Sequence, residues 1–401
     1  MTRSTTTRDV STAAARELLV DLVSIPSPSG EESAATARLA AFFESHGREV
    51  WIDEVGNVRA PGDDSLLLTS HVDTVVGEIP VRVEEMGTED ASAETTSSVL
   101  WGRGSVDATG PLCAMAVAAV RTGVSFVGVV GEEADSRGAR HLVTARDEPA
   151  AVINGEPSGA DGITLGYRGL CGGTYTASTA SAHASRPEPN AIQAAMTWFD
   201  RVETRLESLA PADESDGADP SSTFERVTAK PVAIDGGPSD DGLAVESTVD
   251  VQFRVPPSTT VEDVRTAVEA VTDERGGEFA WTEAIPPVMA SPRTPVARAF
   301  RAAIRDEGGE PRLLRKTGTS DANLFAAAWD CPVVTYGPGD SALDHAPDER
   351  LSLAEFDRAI AVLERVATSI AGEAENAEAA TETNRQPTAT PSPSTSDGEN
   401  L

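Results

Sequence analysis

Five short segments of the 401-residue chain carry side chains that bind metals or move protons. His71 lies in Thr69-Ser70-His71-Val72-Asp73-Thr74, at the end of the apolar run Leu66-Leu67-Leu68. Residues two apart on a strand face the same side, so His71 and Asp73 project together. A metal-bound imidazole commonly has its second ring nitrogen held by a carboxylate. A capped strand end with a satisfied imidazole gives the same pattern. Asp107 sits in Gly102-Arg103-Gly104-Ser105-Val106-Asp107, a Gly-rich turn before a helix, where it reads as a ligand or as a helix cap. Glu132 and Glu133 follow an apolar run, and adjacent carboxylates repel unless something positive lies between them. Glu156 and His345 each sit in a loop after a further apolar run. Mixed imidazole and carboxylate ligation suits zinc, with cobalt or manganese as weaker alternatives. One aspartate bridging two ions, with two further ligands on each, leaves room for an acidified water. One carboxylate must then stay off the metal to take the water's proton and hand it to a leaving amine.

The elements that must position these residues are legible as periodicity. Apolar spacing predicts helices over 13–23, 31–46 and 110–121 and buried strands over 66–68, 124–130 and 150–153. Active sites of open α/β sheets form at the carboxyl ends of their strands, which is where the candidate ligands fall. The pattern changes near Gly166. A strand over 171–179, a helix over 191–209, a strand over 245–255 and a helix over 261–271 make a second unit of α+β order, with an acidic surface loop over 211–222. Helix, strand and helix then resume over 297–307, 331–336 and 353–370. The fold class is therefore α/β, with a mostly parallel central sheet. The expected organisation is a catalytic domain over 1–165 and 286–371, an inserted α+β domain over 166–285, and a disordered acidic tail over 372–401.

Composition excludes several functions. The chain has 32 Lys and Arg against 65 Asp and Glu, a net charge of −33, and only two lysines, Lys230 and Lys316. Such a field repels nucleic acid and anionic membranes. The excess of carboxylates over lysine resembles that of salt-adapted proteins, whose surface repulsion is screened in concentrated salt. No apolar run approaches the length of a membrane span, and the N-terminal segment lacks the apolar core of a secretory signal. Three irregularly spaced cysteines read as reduced thiols, so the expected location is cytoplasmic.

The set Ser-His-x-Asp-Thr at 70–74, Gly-Arg-Gly-x-x-Asp at 102–107, Gly-Glu-Glu at 131–133, Gly-Glu-Pro at 155–157 and the late His345 resembles the M20 metallopeptidases over residues 10 to 370. The resemblance implies a zinc-peptidase-like catalytic domain with an inserted lid or dimerisation domain, two Zn2+ per subunit with Co2+ as an alternative, and hydrolysis of amide bonds. It implies that His71, bridging Asp107 and Glu156 hold one ion and that Asp107, Glu133 and His345 hold the other. It assigns Glu132 as general base, a choice over Glu133 that the residues alone leave open, and Asp73 as the group orienting His71. It implies a cis peptide after Asp107. It gives His183, in Ser181-Ala182-His183, a role at the scissile carbonyl, commonly from the partner subunit of a homodimer. Arg254 resembles the family's lid arginine for a substrate carboxylate.

Segments at 106–112, 166–169, 316–323 and 336–341 resemble one subgroup, the LysW-lysine/LysW-ornithine hydrolases, with Thr109 standing where the subgroup usually has lysine. These release lysine or ornithine from the glutamate side chain that ends a LysW-type carrier protein. Lys316 and Thr317 then become candidates for substrate contact. Asp321, Asp340 and Asp344 are candidates for the substrate's ammonium. Acetylornithine deacetylase and dipeptidase activities on the same site remain alternatives, as does a non-catalytic metal-binding protein.

Overall fold

The structure is a computed structural model that describes residues 9–87, 96–209 and 223–383. The acidic stretch 211–222 and residues 384–401 of the expected tail lie outside the described residues.

The largest sheet has nine strands. At its centre Val124–Val129, Asp63–His71, Val152–Gly155 and Val333–Thr335 run parallel in that spatial order. Antiparallel neighbours close both sides: Val58–Ala60 pairs with Val124–Val129, and Gly162–Tyr167 pairs with Val333–Thr335. The central strands are apolar on both faces because helices cover both, as expected for parallel strands. Thr109–Thr122, whose first twelve residues are all buried, packs on one face with Leu353–Thr383. Arg137–Ala145 and Asp321–Ala328 cover the other.

The carboxyl ends of three of the four parallel strands lead directly into candidate residues, and the fourth leads into the longer loop that carries His345. His71 ends its strand in register with Val129, just before Gly131-Glu132-Glu133. Ser70 is in register with Gly155, just before Glu156, and donates its hydroxyl to the Gly155 carbonyl at 2.8 Å. Gly155 permits this close approach. A Cβ there would lie 2.6 Å from the Ser70 Cβ and 3.0 Å from the Met115 sulfur.

A second sheet, entirely antiparallel, is ordered Thr228–Pro238, Ala244–Val255, Gly169–Ala180, Glu278–Trp281. Two helices cover it. Ala191–Glu207 begins at an Asn190/Gln193 capping box and Val261–Arg275 at a Thr260/Asp263 box. Its core is centred on Trp198, which stacks on Tyr175 at 4.1 Å and donates to the Thr272 hydroxyl.

The sequence reading did not name the helices Arg137–Ala145 and Asp321–Ala328 or the strands Thr228–Pro238 and Arg312–Lys316, and the structure departs from it elsewhere too. A small sheet of Arg82–Gly87, Thr96–Trp101 and Arg350–Ser352 was not expected. Its residues are too polar for a buried-strand pattern, and its third strand is distant in sequence. The final helix reaches Thr383, past Gly372 where a disordered tail was expected to begin. The Ala- and Glu-rich sequence there favours helix, an intrinsic preference that low hydrophobicity does not cancel.

Gly155→Ala is expected to destabilise the protein by about 1–3 kcal/mol, because the new methyl meets a rigid Cβ and the strands under His71 and Glu156 must part. Urea unfolding at fixed salt, paired with metal content after gel filtration, measures both consequences.

Candidate metal centre

Asp107 is the hub of the site. Its two carboxylate oxygens face different imidazoles: Oδ1 accepts from His71 Nε2 at 3.2 Å, and Oδ2 lies 3.2 Å from His345 Nε2. Each imidazole meets one further carboxylate. Glu156 Oε1 is 4.0 Å from His71 Nε2, and Glu133 Oε1 accepts from His345 Nε2 at 3.1 Å. The five residues thus form two half-sites that share Asp107. His71, Asp107 and Glu133 each offer a ligand atom within 4.8 Å of the others. The set fits divalent cations, because its donors are imidazole nitrogens and carboxylate oxygens converging around Asp107.

The electrostatics point the same way. Burial pushes Asp107 up, but hydrogen bonds from His345 and His71 outweigh it and hold the carboxyl below its ordinary range. Burial raises Glu156 to about 8, against the opposing pull of His71. Burial and then repulsion from Glu156 push Glu132 well above the usual carboxylate range. His345 is raised to about 9, chiefly by its hydrogen bond to Asp107. His71 rises well above its ordinary value despite burial, because Asp107, Glu156 and Glu132 surround it. The carboxylates are crowded enough that a proton or a cation must sit among them.

Backbone hydrogen bonds hold the loops that carry these groups. His71 Nδ1 donates to the Asp73 backbone carbonyl at 2.8 Å, whereas the nearer Asp73 carboxylate oxygen is 3.7 Å away. The expected orienting contact is therefore made by the main chain of Asp73. Its carboxylate accepts from the Glu132 and Glu133 N–H groups, each at 3.1 Å, and from the Ser29 hydroxyl at 2.6 Å. It fixes the turn that presents both glutamates.

Glu349, which sequence reasoning missed, does the same for the Asp107 turn. Fully buried, it accepts from the N–H groups of Gly104, Val106 and Asp107 and from Arg103 Nη1. The only sequence signal was a carboxylate four residues after His345. Gly104 adopts a left-handed conformation with Thr74 and Thr109 crowded against it, which explains a glycine there. The peptide between Asp107 and Ala108 is cis. His345 itself has φ 58°, a sparsely populated conformation for a non-glycine residue, in the loop that turns its ring toward Asp107.

Asp107, Glu133, Glu156 and His345 line a cleft of about 960 Å³ between the two sheets, with His71 buried behind them. Glu132, Arg254, Lys316, Thr317 and Asp344 also line it. Arg254 donates to the Thr319 hydroxyl at 3.2 Å. His183 does not join them. It is exposed in the loop after Gly169–Ala180, where its Nδ1 contacts the Ser185 hydroxyl. Arg168 is buried and spends its donors on the Thr317, Thr223 and Arg226 carbonyls and the Thr228 hydroxyl. His46 bonds the Phe42 carbonyl, and His141 lies beside Asp53 and Glu54 on the surface.

Residues 67–369 match the peptidase family M20/M25/M40. The chain belongs to the M20 peptidase family. Its members are hydrolases of amide bonds and typically dinuclear metal enzymes. The chain is 39% identical over 372 residues to the [LysW]-lysine hydrolase of Deinococcus radiodurans, covering 90% of this chain and 98% of that one. It is 36% identical over 366 residues to a putative [LysW]-lysine/[LysW]-ornithine hydrolase of Thermococcus kodakarensis, covering 90% and 93%. A tripeptidase of Staphylococcus aureus has the same fold, with a TM-score of 0.69 and 22% identity over 90% of this chain and 99% of that one. Among the described residues no helix is long and apolar enough to cross a membrane.

The metal-free M20 chain is expected to lose stability as pH rises. Glu156 moves from an ordinary 4.5 to about 8 on folding and His345 from 6.5 to about 9, so between roughly pH 4.5 and 9 the folded state binds more protons than the unfolded one. The stabilising His345 pairs are fully present below 6.5 and lost as pH passes 9. The cost of ionising Glu156 grows across the same window. Thermal unfolding in a chelator at fixed salt should show Tm falling from pH 5 to 9, more shallowly in Glu156→Gln, and more shallowly again in metal-loaded protein.

Proposed function

We propose that this chain is a di-zinc amide hydrolase that releases lysine or ornithine from a LysW-type carrier protein. It would cleave the amide between the γ-carboxyl of the carrier's terminal glutamate and the amino acid's α-nitrogen. The observation that carries this reading is the pair of half-sites sharing Asp107, with Glu132 lining the same cleft. The substrate assignment is supported by the identity to relatives named for that reaction.

His71, Asp107 and Glu156 would hold one ion, and Asp107, Glu133 and His345 the other. Mixed imidazole and carboxylate donors favour zinc. When bound, the ions polarise the amide carbonyl and acidify a water. Glu132 is left free as the base. Its carboxylate takes the proton of the attacking water as the new C–O bond forms. It then delivers that proton to the nitrogen as the C–N bond breaks. A carboxyl raised above its usual range by burial suits both halves of that exchange. Asp73 positions Glu132 through its backbone N–H. Arg254 and Lys316, which also line the cleft, would take the substrate's carboxylates, with Thr317 another lining residue.

A homodimer through the second sheet completes the reading. Thr228–Pro238 is an edge strand, with Val232 and Ile234 exposed by 53% and 63% and Met196 exposed on the neighbouring helix. An exposed apolar edge is a template for pairing. His183 would then reach the scissile carbonyl of the other subunit and stabilise its developing charge. A cytoplasmic location suits the free thiols Cys113, Cys171 and Cys331.

Purified enzyme is to be assayed in dilute buffer and in molar KCl on carrier-linked lysine, carrier-linked ornithine and N-acetylornithine. Preference for the acetylated amino acid would remove the carrier from the reading. Glu132→Gln is expected to keep its metal and lose roughly 10²–10⁴-fold in kcat. Full activity in that variant would refute the mechanism. Ile234→Lys is expected to convert the dimer to a monomer by light scattering and to lower kcat with the metal retained.

A further inference from the structure

Most of the charge lining the cleft is internally paired. Arg140 bonds Glu283, Arg137 bonds Glu32, Arg315 bonds Glu225, and Asp135 lies 4.0 Å from Arg137. Asp107, Glu133 and Glu156 face the two imidazoles, and Glu132 is the base. Among the described residues lining the cleft, three charged groups outside this machinery have no ion pair: Arg254, Lys316 and Asp344. Asp344 is also unsatisfied, because its Oδ1 is buried and has no hydrogen-bond partner. The other two aspartates that sequence offered for an ammonium do not compete. Asp321, whose carboxylate oxygens are also buried without hydrogen-bond partners, is only 1% exposed and does not line the cleft, and Asp340 is spent capping the Ser341–Leu343 turn through the Ala342 N–H.

A γ-glutamyl amide of lysine or ornithine carries two carboxylates near its scissile bond, one on each amino acid, and one side-chain ammonium. The cleft's unpaired set is the complement, two cations and one anion. We infer that Asp344 is the specificity-determining residue for the released amino acid, accepting the side-chain ammonium of lysine or ornithine. This rests on the hydrolase reading above and adds to it the selection among leaving amino acids. A cationic side chain supplies the donor that Oδ1 lacks. A neutral isostere leaves that oxygen buried and unpaired, which is how a polar subsite rejects an apolar analogue.

The test uses metal-loaded full-length protein in molar KCl and three synthetic acidic peptides ending in glutamate, whose γ-carboxyl carries lysine, ornithine or norleucine. Wild type is expected to favour lysine or ornithine over norleucine by roughly tenfold to a hundredfold in kcat/KM. Asp344→Asn should bring that ratio close to one, mainly by raising KM for the cationic substrates. Asp344→Glu should restore part of it. A merely structural role would depress all three substrates together and leave the ratio intact. If Asp344→Asn keeps the wild-type ratio, or wild type cleaves the norleucine peptide as well as the lysine peptide, the Asp344 assignment is overturned and the hydrolase reading stands. If wild type cleaves none of the three, the hydrolase reading falls and Asp344 falls with it.

Discussion

Electrostatic crowding around Asp107 is the constraint on which the rest of the structure depends. Two imidazoles and three carboxylates converge there, with Glu132 beside them, and most of these groups are shielded from water. Carboxylates so close cannot all ionise without positive charge among them. In the metal-free chain, protons on the imidazoles supply it, so both imidazoles rise while Asp107 falls, and burial keeps the Glu156 carboxyl protonated to higher pH. Divalent cations meet the same need without protons and free the carboxylates to act as ligands. The site is therefore unfavourable as a structural core, and the surrounding fold has to hold it open.

That restraint comes from the main chain. The Asp73 carboxylate holds two successive N–H groups of the turn bearing Glu132 and Glu133. The Glu349 carboxylate holds three N–H groups of the turn bearing Asp107. Carboxylates bonded to backbone donors are strong, directional anchors. Each ties a loop after one sheet strand to a residue distant in sequence. Below them, the close contact of Ser70 with Gly155 keeps His71 and Glu156 on neighbouring strands.

The net charge of −33 describes the surface and says little about the cleft. There, arginines pair acids locally, and the few groups left unpaired are those available to a ligand. The scarcity of lysine makes Lys316 conspicuous in the sequence. Lys316 lines the cleft, to which the other sheet contributes Arg254.

Much was legible in the sequence alone, because burial and periodicity are local. The apolar runs ending at His71 and before Glu132 and Glu156 marked strands, and ligand types just beyond them marked a candidate metal site. Capping boxes such as Asn190 with Gln193 were written in neighbouring residues. What only the tertiary structure decided were relations between distant segments. Asp73 orients His71 through its carbonyl and spends its carboxylate on the glutamate turn. Glu349 anchors the Asp107 turn, and the strand Arg350–Ser352 pairs with Thr96–Trp101. Asp344 lines the cleft, whereas Asp321 is buried away from it. A residue's type states what chemistry it can do. Which partner it finds depends on a hydrogen bond or a packing distance across hundreds of residues, and no local pattern encodes that.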